Sequence, residues 1–161
     1  MQAIRVGMGF DVHRFVEGRA LWLGGIRIQH DKGLLGHSDA DALIHALCDA
    51  LLGAAALRDI GYHFPDTDEA YKNIDSKILL GKTMKLLRSH SYELGNVDIT
   101  VCAEAPRLNP HIPAMIACLA ETMQVAPDAI SIKATTSEKM GYVGREEGIA
   151  VYATALVYRL H

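Results

Sequence analysis

From Gly148 to Arg159 the chain alternates with a period of two, yet both alternate sets are apolar. Ile149, Val151, Ala153, Ala155 and Val157 make one set; Ala150, Tyr152, Thr154, Leu156 and Tyr158 make the other. A strand apolar on both faces is covered on both. The chain has 161 residues, enough for one domain with a sizeable core and too short for two ordinary ones. Its helices can cover one face of a four- or five-stranded sheet. The other face then needs a second sheet, which in so short a chain means another subunit. The expected fold is a single α/β (α+β) domain over residues 1–161, with a mixed sheet and helices on one face.

The remaining elements follow from periodicity and punctuation. Ile4, Val6, Met8 and Phe10 alternate with Arg5, Gly7, Gly9 and Asp11, a strand pattern. A second strand, Leu21 to Ile28, follows a turn at Glu17-Gly18, so the two read as a hairpin. Gln29 to Ser38 reads as a polar loop. Ser38 or Asp39 then caps a helix running to about Leu57, with Leu43, Leu47, Ala50, Ala54 and Leu57 on one stripe. Further helices are expected over Ile74–His90 and His111–Met123, and strands over Val97–Glu104 and Ser131–Thr136. Arg58–Ala70 and Ser137–Glu147 read as loops. No internal repeat or low-complexity segment is visible.

Composition excludes several classes. The formal charge is -3, with no basic footprint for nucleic acid. The chain is 50% hydrophobic and 22% charged, unlike a disordered one. Its longest apolar run of note, Ala50 to Leu57, is far below the ~18 residues of a membrane span. Met1 to Arg5 shows no signal-peptide pattern. Cys48, Cys102 and Cys118 are odd in number and widely spaced, which fits core thiols in a reduced, cytoplasmic protein.

The chemistry concentrates in a few blocks. Asp11 and His13 leave one face of a strand, behind Gly7 and Gly9, which leave room for something to approach. His45 lies on the first helix, with Asp41 and Asp49 four residues either side. A carboxylate and two imidazoles suit zinc with one position open, and a neighbouring carboxylate could fix the His45 tautomer. The same residues also read as solvated or internally paired groups. His37-Ser38 at a helix start reads either as anion binding or as ordinary capping. Asp59-Ile60-Gly61 and Phe64-Pro65-Asp66-Thr67-Asp68 read as a hydroxyl- or cation-binding loop or as a solvated acidic one. Lys133 to Lys139 ends a strand with three hydroxyls and Glu138, which suits phosphates and Mg²⁺ or a polar turn. Common nucleotide motifs fail: Ser76 replaces the first glycine of a P-loop at Gly81-Lys82-Thr83, and Val12 replaces the third of a dinucleotide fingerprint.

Taken in order, these blocks resemble the 2-C-methyl-D-erythritol 2,4-cyclodiphosphate synthases of the non-mevalonate isoprenoid pathway. The match runs through Gly9-Phe10-Asp11-Val12-His13, Gly33-Leu34-Leu35-Gly36-His37-Ser38-Asp39, Asp49-Ala50-Leu51-Leu52-Gly53-Ala54, Asp59-Ile60-Gly61, Phe64-Pro65-Asp66-Thr67-Asp68, Gly95-Asn96-Val97-Asp98, Ala105-Pro106-Arg107, Lys133-Ala134-Thr135-Thr136 and Gly144-Arg145-Glu146-Glu147-Gly148. The resemblance implies a homotrimer with sheets around its axis and active sites between subunits. It implies one Zn²⁺ per subunit on Asp11, His13 and His45, and Mg²⁺ or Mn²⁺ on Glu138 with the substrate diphosphate. It implies cyclisation of 4-diphosphocytidyl-2-C-methyl-D-erythritol 2-phosphate with release of CMP, His37 and Thr136 stabilising the transition state. Ser38, Asp59, Gly61, Phe64, Asp66 and Asp68 fall near the phosphates and erythritol. Ala103, Arg107, Leu108, Asn109, Ala134 and Thr135 fall in the cytidine pocket. Tyr142, with Phe10 and Arg145, falls beside an axial cavity for an isoprenoid diphosphate.

Two other readings keep parts of this set. A zinc phosphoesterase would use water as the attacker and leave an open phosphate. A trimeric prenyl-diphosphate binder would not need Asp11, His13, His45, Thr136 and Glu138.

Overall fold

The computed structural model describes residues 4–160; Met1 to Ala3, read above for a leader, lie outside the described residues. A five-stranded mixed sheet forms the body. Its strands are β1 (Ile4–Glu17), β4 (Lys32–Leu34), β5 (Tyr92–Cys102), β6 (Ile130–Thr135) and β7 (Gly148–Arg159), in the order β4-β1-β7-β5-β6. Only β5 and β6 run parallel; the other neighbours are antiparallel. Two short strands, β2 (Leu21–Leu23) and β3 (Ile26–Ile28), form a separate hairpin. The helices are α1 (Ala42–Ala54), α2 (Ile60–His63), α3 (Ser76–Ser89), α4 (Ile112–Met123) and α5 (Gly141–Gly144).

One sheet face is the floor of the core. Register aligns Gly7 with Ala155, Gly9 with Ala153, and Val97 and Ile99 with the same two residues from the other side. Ala153, Ala155, Val157, Val97 and Ile99 are all buried, beneath Leu43, Leu47, Leu51, Leu80, Met84 and Leu119 of α1, α3 and α4. The opposite face is open in the single chain: Ile4, Val6, Met8, Phe10 and Tyr152 are 42–66% exposed. That face is apolar, as the doubly apolar β7 predicts.

Several boundaries differ from the sequence expectation. Leu21–Ile28 is two strands, because Gly24 and Gly25 turn the chain between them. The partner of β1 beyond β7 is β4, inside the supposed loop Gln29–Ser38. Asp41, not Ser38 or Asp39, caps α1, and the helix stops at Ala54, where Ala56 and Arg58 take positive φ. β5 starts at Tyr92 and carries a register shift between Leu94 and Asn96, so Gly95-Asn96 lies inside the strand. The supposed loops hold α2 and α5.

Candidate active site

β1 and α1 bring three ligand-type side chains together. Asp11 and His13 leave the core-side face of β1. His45 leaves α1 one residue before Ala46, whose backbone lies against Gly9. The glycines therefore let the helix backbone approach the strand. His13 Nδ1 and His45 Nδ1 lie 2.9 and 3.3 Å from Asp11 Oδ2. The His rings are 5.3 Å apart. One ligand atom from each residue fits within 4.8 Å of the others.

These three residues fit a metal ion. Asp11 Oδ2 and His13 Nδ1 are buried polar atoms that approach each other without hydrogen-bond alignment, and neither makes a hydrogen bond among the described residues. Such atoms are costly unless something satisfies them. Burial alone would push the Asp11 carboxyl up, yet the two imidazoles beside it hold it below its usual range. Burial alone would push His45 down, yet Asp11 holds it above its usual value. The set is electrostatically coupled, with donors of the type that zinc takes.

The carboxylates expected to orient His45 do other work. Asp41 is fully buried and accepts from the backbone N–H groups of Gly24, Gly25 and Ile44. Asp49 accepts from Ile60 N–H at 2.7 Å. His45 Nε2 instead lies 3.1 Å from Ser38 Oγ and 3.0 Å from Ser76 Oγ. Sequence spacing did not single out Ser76, which opens α3 31 residues downstream.

A cavity of ≈ 330 Å³ adjoins the cluster and is lined by His13, His37, Ser38, His45, Gly61, Phe64 and Asp66 among others. Tyr71, Ile74 and Leu79 also line it and were missed, having no chemical signature of their own. Asp59 and Asp68 do not line it. Each caps a short helix, accepting from Tyr62 N–H and Ala70 N–H respectively.

A second cavity, ≈ 340 Å³, is lined by Ala103, Arg107, Leu108, Asn109, Ala134, Thr135 and Thr136, with Glu104 and Pro106. It shares no residue with the first. Beyond Thr136 the chain turns sharply, Glu138 and Lys139 both at positive φ. Thr136 Oγ1 donates to Glu138 Oε1 at 3.3 Å. Glu104 Oε1 accepts from Ser137 N–H at 3.0 Å and Lys139 N–H at 3.2 Å. Glu104 thus ties down the turn that presents Thr136 and Glu138. Burial raises its carboxyl, but these donors hold it below the usual range. Tyr142 is exposed on α5, and Arg145 pairs with Glu147 at 2.9 Å. Burial pushes the Cys48 thiol up to about 12 and raises those of Cys102 and Cys118, which disfavours the reactive thiolate at all three.

The profile of the YgbB family matches residues 4–158. The chain belongs to the YgbB family. It is 65% identical to the 2-C-methyl-D-erythritol 2,4-cyclodiphosphate synthase of Bacteroides fragilis, over 98% of this chain and 99% of that one. It is 68% identical to the synthase of Parabacteroides distasonis, over 98% of each chain. Among solved structures it superposes on the bifunctional IspDF from Campylobacter jejuni with a TM-score of 0.96 and 44% identity. That match covers 99% of this chain but 43% of the bifunctional one. It superposes on a CDP complex of the Plasmodium falciparum family member with a TM-score of 0.87 and 32% identity, over 100% of this chain and 99% of that one.

Proposed function

We propose that this chain is a 2-C-methyl-D-erythritol 2,4-cyclodiphosphate synthase of the non-mevalonate isoprenoid pathway. Its substrate is 4-diphosphocytidyl-2-C-methyl-D-erythritol 2-phosphate. An oxygen of the 2-phosphate forms a bond to the β-phosphorus. The bond from that phosphorus to the bridging oxygen breaks, and CMP leaves with the bridging oxygen on its phosphate. The observation that carries the reading is the Asp11–His13–His45 cluster, with its unpaired buried atoms, opening on a cavity that also holds His37 and Ser38.

Attacker and target are both anionic, so the protein must align them and offset their repulsion. Zinc on Asp11, His13 and His45, and Mg²⁺ or Mn²⁺ on Glu138, would supply positive charge at the diphosphate. His37 and Thr136 donate to the oxygens that gain charge. Ser38, Gly61, Phe64 and Asp66 hold the erythritol and its phosphates, and Asp59 and Asp68 cap the short helices beside them. Ala103, Arg107, Leu108, Asn109, Ala134 and Thr135 hold the cytidine.

The working unit is a homotrimer. Two separate cavities in one chain have to face one substrate, and an apolar sheet face lies open. A ring of three puts the cytidine cavity of one subunit opposite the metal cavity of its neighbour and covers that face. Phe10, Tyr142 and Arg145 then border an axial space suited to an isoprenoid diphosphate. The protein works in the cytoplasm; no helix among the described residues is long and apolar enough to cross a membrane.

Incubating purified protein with the diphosphocytidyl substrate and Mg²⁺, followed by ³¹P NMR, tests the reading. CMP and a cyclic diphosphate are expected in equal amounts. An open phosphate product would make water the attacker and overturn it.

A further inference from the structure

The polar groups around His45 bear on which of its nitrogens carries the proton. Ser76 Oγ lies 2.5 Å from Asp39 Oδ1. A carboxylate only accepts, so the single hydroxyl proton of Ser76 points at Asp39. Ser76 Oγ then has only lone pairs to offer His45 Nε2, 3.0 Å away. An imidazole lone pair facing that oxygen would be repelled, which favours the hydrogen on Nε2.

The arrangement is held rigidly. Ser76 is fully buried at the first turn of α3. Asp39 also accepts from Ser76 N–H at 2.9 Å and from Asp41 N–H at 3.1 Å, so both its oxygens are fixed. Ser38 Oγ, 3.1 Å from Nε2, accepts from Ala40 N–H, and its own rotor can serve either tautomer. Asp11 competes for a proton on the other ring nitrogen. Yet its Oδ2 lies 3.3 Å from His45 Nδ1 and makes no aligned hydrogen bond.

We propose that Asp39 and Ser76 are positioning residues that hold the proton of His45 on Nε2 and so aim the Nδ1 lone pair at the metal position. The arrangement interposes a hydroxyl between carboxylate and histidine. It joins three segments: the loop before α1, α1 itself and the start of α3. Partners of this kind orient the ring and raise its basicity toward a metal. The inference rests on the metal reading proposed above, and deepens it.

The test reads the ring directly. In metal-free protein labelled with ¹⁵N-histidine, at alkaline pH, His45 should show a protonated Nε2 and a bare Nδ1. Ser76→Ala should lose that bias and weaken Zn²⁺ affinity about 10–100-fold in competition with a chelator. Asp39→Ala should free the Ser76 hydroxyl to donate to Nε2 and move the proton toward Nδ1, a shift that a packing role alone would not produce. A wild-type ring protonated on Nδ1, or a Ser76→Ala protein with wild-type tautomer and affinity, overturns the inference. If neither variant folds, the wild-type spectrum still decides. Failure of the wild type to bind Zn²⁺ strikes the metal reading; Zn²⁺ binding by a ring protonated on Nδ1 strikes only this one.

Discussion

Gly9 of β1 faces Ala46 of α1 so closely that a Cβ on Gly9 would sit 1.9 Å from the Ala46 carbonyl oxygen. That contact sets how near His45 comes to Asp11 and His13. Gly9→Ala must push strand and helix apart. Overpacking of this kind costs about 1–3 kcal/mol, and the metal ligands separate with it. Denaturant unfolding and metal titration should both register the change. Wild-type values in both would mean the site does not depend on this approach.

Glu138→Gln keeps the shape of the side chain and removes its charge. Turnover should fall and partly recover at high Mg²⁺, because the remaining oxygen still binds a hard cation weakly. A Mg²⁺ dependence identical to wild type would show that Glu138 does not anchor the ion.

Glu104→Ala removes the acceptor for Ser137 N–H and Lys139 N–H. The turn carrying Thr136 and Glu138 should loosen, and a displacement of about 1 Å at such a site can cost on the order of 10²-fold in rate. Glu104→Gln, which keeps an acceptor oxygen for the two N–H groups, should lose much less. Equal losses in the two variants would assign the effect to charge rather than to the hydrogen bonds. Steady-state kinetics with CMP release as the signal distinguishes them.

Much of this was legible because it is local. Asp11 and His13 share a face by the two-residue period of a strand, and α1 shows its apolar stripe at Leu43 and Leu47. The glycines at 7 and 9 announced a close approach, and the approaching group is the backbone of α1. What escaped was non-local or disguised. Leu21–Ile28 is apolar enough to pass for one strand, and only the Gly24-Gly25 turn divides it. Ser76 meets His45 from a different helix, and a single buried hydroxyl leaves no periodic trace. Asp41 and Asp49 sit at helical spacing from His45, but orphan backbone N–H groups claim them. Spacing gives proximity; it does not say which donor a carboxylate will choose.

Subunit mixing tests whether the site is shared. His45→Ala should lose the metal and Thr136→Ala a transition-state donor, so each is inactive alone. Refolded together, random rings should keep roughly a quarter of their interfaces intact, since each site needs one sound half from each of two neighbours. Recovery near that fraction supports sharing. No recovery, with mixed rings shown by native mass spectrometry, would place the whole site within one chain.

The two glycine turns near the start of the chain look alike on paper and differ in what they allow. Gly18 is exposed, and a Cβ there would meet nothing within 4 Å. Gly24 and Gly25 are buried, pressed against Met115 and Cys118, and their N–H groups are held by Asp41 at the head of α1. A peptide tag or fluorophore spliced in at Gly18 would therefore ride free of the fold. The same insertion six residues later would unseat the helix that carries His45. The chain thus offers an engineer one handle and one keystone, separated by a single short strand.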